Sequence, residues 1–427
     1  MTTLCLGLLL AILTVLPASV SDSLAGGWQG TWTKQGDTLP VNVTFEKSEG
    51  GYSGFFDSDA LQVSHIPFSN ISNTNGKVHF VLEGDATTAV FDGTLQGDTI
   101  AGALKDDGVE GTFELHRPVL PASSLTARDV SFRNGTVVLA GTLLLPTTPG
   151  KHPAILFLQG SGPERRWANR YLAQKFAAAG FVALIYDKRG VGSSTGDWQK
   201  VGFEPLADDA VAGIRLLQSM PEVAPEKVGI YGHSQGGTIA PLVATKAGDI
   251  GFVIASAASG IAPADLETYS VENSIGVYSL PPKERADAKS YVQALMDVAF
   301  RGKAYDSLAS YKMRFKSRDW YFDPPPPGDF YWTVSRQMAH YDPLSYWRRV
   351  HAPVLLLFGA LDERVPSARC TLEIASALAT SGNKHVTIKT YSDADHTFTI
   401  VDPPRKGGWP KREPDYAVVL THWAAAF

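Results

Sequence analysis

Two textures of apolar and polar positions divide the chain. Between about residues 27 and 118 short alternating runs dominate: Val41, Val43 and Phe45 alternate with polar neighbours, and similar stretches recur at 51–56, 77–82, 89–95, 99–104 and 111–116. An apolar residue at every second position turns one face of a strand to a core, and the pairs Gly97-Asp98 and Asp107-Gly108 are turn formers. This pattern predicts a small antiparallel β-domain over 26–118, a sandwich or a barrel. Beyond residue 124 the texture changes. A hairpin over 130–133 and 136–145 is predicted around Asn134-Gly135, and strands, most of them continuous apolar runs, are predicted at 154–158, 182–186, 228–231, 252–255, 354–358 and 386–390. Between them lie helical patterns at 171–179, 205–220, 236–247, 367–380 and 416–425. Strands apolar on both faces and separated by helices predict a mostly parallel sheet with helices on both faces, over 124–427. In such a sheet chemistry gathers at the carboxyl ends of the strands.

Three intervals fall outside these patterns. Residues 119–123, flanked by Pro118 and containing Pro121, resist helix and sheet and read as a linker. The stretch 262–349, punctuated by Pro281-Pro282 and Pro324 to Pro327, is too long for a connection and is predicted to be a helical cap. Its aromatic residues Trp320, Tyr321, Phe322, Phe330, Tyr331 and Trp332 fit either an apolar pocket lining or a packed cap core. Finally, the apolar run from Leu4 to Leu16, followed by Pro17 and small residues, is short for a bilayer span and predicts a signal peptide over 1–25, cleaved near Ser21 or Ala25. No Lys or Arg precedes that run, so an uncleaved anchor is the alternative. Export to the periplasm or medium is expected, with no stable membrane association after cleavage.

Composition narrows the picture. A chain of 427 residues exceeds one ordinary core, in keeping with two domains and an insertion. A net charge of -5 without a long basic run argues against a nucleic-acid partner. Of the two cysteines, Cys5 lies in the segment expected to be removed, which leaves Cys370 without an intramolecular partner. The oligomeric state is not legible. His65, His79 and His116 have no metal-ligand spacing, and Trp28 and Trp32 suit core packing better than a ligand platform. Asn42, Asn70 and Asn134 head N-x-S/T sequons.

The candidate chemistry sits at strand ends. The run 228–231 feeds into Gly232-His233-Ser234-Gln235-Gly236, a G-x-S-x-G pattern between strand and helix. A turn this tight exposes Ser234 as a nucleophile, and the following helix aims free N–H groups at it. The glycine-rich turn Gln159-Gly160-Ser161-Gly162-Pro163 can present a backbone N–H to an oxyanion, so the hole is assigned to the N–H groups of Ser161 and Gln235. A phosphate cradle there would need a G-x-G-x-x-G or Gly-Lys-Ser signature, and neither is present. Asp362, after the run 354–358, is assigned as the acid that orients a histidine, with Glu363 as its rival. His396, after the last strand, is assigned as general base. Arg405, Lys406, Lys411 and Arg412, with Trp409, form a basic loop after it, read as solvated surface. The chemistry calls for no metal or organic cofactor.

Taken together, residues 158–163, the run Tyr186-Asp187-Lys188-Arg189-Gly190-Val191-Gly192-Ser193-Ser194, and Gly232 to Gly237 resemble the α/β-hydrolase superfamily. Within it they are similar to exported bacterial esterases related to serine aminopeptidases, dienelactone hydrolases and acyl-CoA thioesterases. Many members carry a histidine before the oxyanion glycine; Gln159 stands there in this chain. The resemblance implies that 187–189 brace the loop beneath the site. It also implies a serine hydrolase acting on small ester or acyl substrates through an acyl-enzyme. Exopeptidase, amidase or thioesterase activity on the same residues is the alternative, with Glu164 and the acidic residues of the cap as the hints of an amine site.

Overall fold

The computed structural model describes residues 23–83, 88–118, 125–401 and 408–427. The predicted linker, most of the predicted signal peptide, Arg405 and Lys406 lie outside them. Among the described residues two compact units emerge: one takes in those up to 38 with 42–55 and those from 67 to 118, the other 39–41, 56–66 and those from 125 onward.

The alternating runs become nine strands: β1 (Gly26–Lys34), β2 (Asp37–Ser48), β3 (Gly51–Ser58), β4 (Val63–Pro67), β5 (Ser69–Thr74), β6 (Lys77–Glu83), β7 (Thr88–Gln96), β8 (Thr99–Asp106) and β9 (Val109–His116). They form one sheet in the order β4-β3-β2-β1-β9-β8-β7-β6-β5, with β1 antiparallel to β9 so that Trp32 lies opposite Phe113. The two ends of that order, β4 and β5, are joined through Phe68 alone, so the sheet curls toward closure in place of the two facing sheets of a sandwich. Its filling is aromatic. Phe80 stacks on Phe91 with ring centroids 4.5 Å apart, Trp32 lies 4.6 Å from Phe91, and Phe113 meets both phenylalanines edge-on. Trp28 and Trp32 are buried core residues. His79 and His116 pair with Asp92 and Glu114 at the surface. Among the described residues no cluster of His, Cys, Asp or Glu suits a metal ion. Asn42 and Asn70 are exposed, whereas the Asn134 amide donates to Asp209 Oδ1 at 2.8 Å.

In the second unit the strands are β10 (Thr126–Asn134), β11 (Val137–Leu145), β12 (His152–Leu158), β13 (Val182–Tyr186), β14 (Val223–His233), β15 (Val253–Ser256), β16 (Val354–Gly359) and β17 (Val386–Tyr391). The helices are α1 (Arg170–Ala178), α2 (Phe203–Ser219), α3 (Gln235–Ala247), α4 (Pro263–Ser274), α5 (Pro282–Arg301), α6 (Ala309–Phe315), α7 (Phe330–Met338), α8 (Pro343–Trp347), α9 (Ser367–Thr380) and α10 (Tyr416–Ala424). The β10–β11 hairpin pairs Asn134 with Val137, which moves the two-residue turn one place on from the expected pair, to Gly135-Thr136, where Gly135 takes φ 56°. The sheet runs β10-β11-β13-β12-β14-β15-β16-β17; β11 is antiparallel to β13, and β12 to β17 are parallel. Alternate residues of β12 serve opposite faces. Leu156 and Leu158 belong to the apolar cluster that α2, α3 and α9 share, and Ile155 and Phe157 to the one that α1 and α10 share.

Helices α4 to α8 form the long insertion between β15 and β16. It has apolar clusters of its own, one around Val292, Leu295, Met296 and Trp332 and another around Tyr291, Phe315 and Trp320. Trp320 and Trp332 are therefore core residues of the insertion, while Phe330 is 39% exposed. Among the described residues no helix is long and apolar enough to cross a membrane.

Candidate active site

At the end of β14 the chain turns within one residue. Ser234 takes φ 55° and ψ -118°, a costly conformation for a residue with a side chain. Its neighbours hold it there: Ser234 N–H donates to Ser256 O at 2.9 Å, and its carbonyl accepts from Thr238 N–H at 2.9 Å and Thr238 Oγ1 at 3.0 Å. The glycines are required by space. A Cβ on Gly232 would lie 2.3 Å from the Gly236 carbonyl, and one on Gly237 would lie 2.9 Å from Ser256 O.

The structure brings Ser234, His396 and Asp362 into one line. His396 Nε2 is 2.9 Å from Ser234 Oγ, and His396 Nδ1 is 2.8 Å from Asp362 Oδ2. Asp362 can only accept while ionised, so Nδ1 carries the proton and Nε2 is left to accept from the serine hydroxyl. The other carboxylate oxygen accepts from the N–H groups of Arg364 and Val365, each at 2.8 Å. With its side chain fully buried, Asp362 has a fixed direction. The rival Glu363 has a side chain 53% exposed, 3.8 Å from Arg364.

The loop carrying His396 is shaped from within and below. Asp395 Oδ1 accepts from the N–H groups of Thr397 and Thr399 at 2.7 and 2.9 Å. Beneath it, a Cβ on Gly359 would lie 2.3 Å from Asp395 O, so a glycine at the end of β16 lets the loop close over the sheet. His233 completes the support, a part not foreseen from the sequence. Its Nε2–H donates to His396 O at 2.9 Å. Burial, reinforced by the neighbouring His396, pushes the His233 pKa down to about 4, so it stays neutral and keeps a fixed tautomer at ordinary pH. The pattern G-x-S-x-G leaves that position open, and only the fold shows what the side chain reaches.

Ser161 stands exposed on the turn after β12, between buried Gly160 and Gly162, which takes φ 83°. Gly160 N–H donates to Glu164 Oε2 at 2.7 Å. Gln235 is the first residue of α3, where a backbone N–H has no acceptor within the helix. Beside the turn, Asp187 accepts from Arg166 and from Ser193 N–H. Burial works against its charge, but these bonds prevail and hold its pKa below the usual carboxylate range. Arg189 grips Asp209 with two bonds of 2.7 Å. The insertion is tied to this region through Tyr269 OH to Asp362 O, Asn273 Nδ2 to Glu363 O and Tyr341 OH to Thr238 O. A cavity of about 190 Å³ adjoins the site, lined in part by Gly160, Glu164, His233, Phe398 and Arg412.

A mixed sheet with helices on both faces and a serine on a strained strand-to-helix turn define the α/β hydrolases. The chain is a serine hydrolase of that fold. More narrowly, it belongs to the X-Pro dipeptidyl-peptidase (S15) family, whose sequence profile matches residues 134–390, more than half of the chain. Esterase EstD of Thermotoga maritima is 24% identical over 73% of this chain and 71% of its own. The quorum-quenching protein AidA of Acinetobacter baumannii is 33% identical over 28% of this chain and 40% of its own. Among solved structures, the Pyrococcus furiosus esterase Pf2001 superposes with a TM-score of 0.45 at 19% identity, covering 73% of this chain and 98% of that one.

Proposed function

We propose that this protein hydrolyses small carboxylic esters through an acyl-enzyme on Ser234. The observation that carries the reading is the hydrogen-bonded line from Ser234 Oγ through His396 to buried Asp362. His396 takes the serine proton as Oγ attacks the carbonyl carbon, and the imidazolium so formed is stabilised by Asp362. The N–H groups of Ser161 and Gln235 receive the oxyanion. His396 then protonates the leaving alcohol, and water, activated by the same histidine, releases the acid. Helices α4 to α8 act as a cap over the acyl site, a reading supported by their hydrogen bonds to the loop of Asp362 and to α3.

The family assignment favours a second reading, release of a dipeptide from a peptide amine terminus on the same residues. Assaying short p-nitrophenyl esters beside aminoacyl- and Xaa-Pro-p-nitroanilides separates the two. Ester turnover with anilide rates at background is expected; the reverse preference sinks the ester reading.

Export is proposed as well, with cleavage on the Ser21 side. Leu24 is fully buried, its carbonyl accepts from Trp28 Nε1 at 2.9 Å, and Arg117 donates to the carbonyls of Ser23 and Ala25. Cleavage at Ala25 would discard these contacts, so amino-terminal sequencing of exported protein should find Leu24 retained.

A further inference from the structure

We infer that Lys188 is a positioning residue for the oxyanion hole, holding both donor-bearing residues with one ammonium group. This inference rests on the oxyanion-hole reading proposed above. Lys188 follows the end of β13, is only 2% exposed, and spends its three N–H donors on Gly160 O at 2.5 Å, Gly162 O at 2.9 Å and Gln235 Oε1 at 3.3 Å. The first two acceptors flank Ser161. The third belongs to the residue that supplies the other donor.

The geometry has a direct consequence for Ser161. Gly160 C=O and Ser161 N–H belong to one planar peptide, and among the described residues every peptide is trans. In a trans peptide these two groups point in opposite directions. Drawing the Gly160 oxygen toward Lys188 Nζ therefore aims the Ser161 N–H away from it, and a cation on the oxygen polarises the peptide and strengthens the donor. Gly162, with its left-handed φ, lets the turn bring a second carbonyl to the same ammonium.

The groups facing Lys188 are few. Glu164 lies across the turn, the Trp198 ring centroid is 5.5 Å from Nζ, and Gln235 is uncharged; the flanking Asp187 and Arg189 are engaged by Arg166 and Asp209. Burial draws the Lys188 pKa down to about 8, with Glu164 acting against the shift. The ammonium is thus present below about pH 8 and lost as pH rises through that value, when one N–H and the charge disappear. For folding the sign is opposite. An unfolded lysine keeps its proton to about pH 10.4, so the unfolded state binds more protons in this window and the contribution of Lys188 to stability rises with pH.

The test compares the unaltered protein with Lys188→Met, following kcat and KM on a short p-nitrophenyl ester across pH, the melting temperature, and labelling of Ser234 by a fluorophosphonate. Lys188→Met is expected to lower kcat by about 10²-fold and to slow labelling comparably, with KM changed less than about threefold. The unaltered protein should show a partial fall in kcat through about pH 8 while it remains folded, and the variant should lack that step. A folded Lys188→Met with kcat within about threefold of the unaltered protein overturns the inference. Should the variant not fold, the unaltered protein decides: a kcat that stays level through the whole alkaline range in which the protein remains folded overturns it equally. Absence of labelling at Ser234 in the unaltered protein overturns the underlying reading of the site and this inference with it, whereas equal labelling of both proteins removes Lys188 alone.

Discussion

The two sheets use strands in opposite ways. In most strands of the nine-stranded sheet one face fills a largely aromatic interior and the other meets solvent, so side-chain chemistry is spent on packing or dispersed over a surface. In the eight-stranded sheet the central strands are buried on both faces, and residues available for chemistry remain only where strands give way to loops. Ser234, Asp362 and His396 all occupy such ends. A strand buried twice concentrates function at its terminus; a strand buried once spreads its polar residues along its length.

Substitutions sharpen that contrast. The largest effect belongs to the strand ends: Ser234→Ala should reduce kcat by about 10⁶-fold with the melting temperature preserved. Asp362→Asn follows, at about 10⁴-fold, because the amide favours the wrong imidazole tautomer. Steady-state ester hydrolysis measures both, and a near-normal Asp362→Asn rate would move the acid elsewhere. In the β-domain the ranking inverts. Phe91→Ala, which removes the ring at the centre of the aromatic filling, should cost about 3–5 kcal/mol in denaturant unfolding. Turnover per folded molecule should be unchanged, and a fall in kcat would show that the β-domain shapes the site. The smallest effect is expected from His233→Phe, which fills the same space but withdraws the donor from the His396 carbonyl. About a tenfold loss in kcat with KM unchanged is predicted, read from initial rates.

Much of the second unit was legible because its pattern has physical causes that act locally. Short doubly apolar runs such as 182–186 suit inner strands, and glycines around Ser234 announce a turn that admits no Cβ. Asp362 could be placed because it lies just past such a run, and His396 because it follows the last strand, Val386–Tyr391, whose apolar and polar residues alternate. What stayed hidden depends on distant encounters. The alternation in 26–118 is the same for a sandwich and for a curled single sheet; the difference lies in β1 meeting β9, which period alone does not encode. His233 reaches a backbone oxygen 163 residues away. The aromatic residues of the insertion carried no sign of direction; the separate clusters around Trp320 and Trp332 assign all of them but the exposed Phe330 to packing.

For anyone re-engineering this enzyme, the glycine at 359 is a warning about how mutational libraries are drawn. It offers no side chain to a substrate and would be passed over by any choice of positions made on reactive groups. Yet a single methyl there would collide with the backbone that leads into His396. Vacancy is part of what shapes this centre, and vacancy at positions 232, 237 and 359 must be inherited intact before any new specificity is written around it.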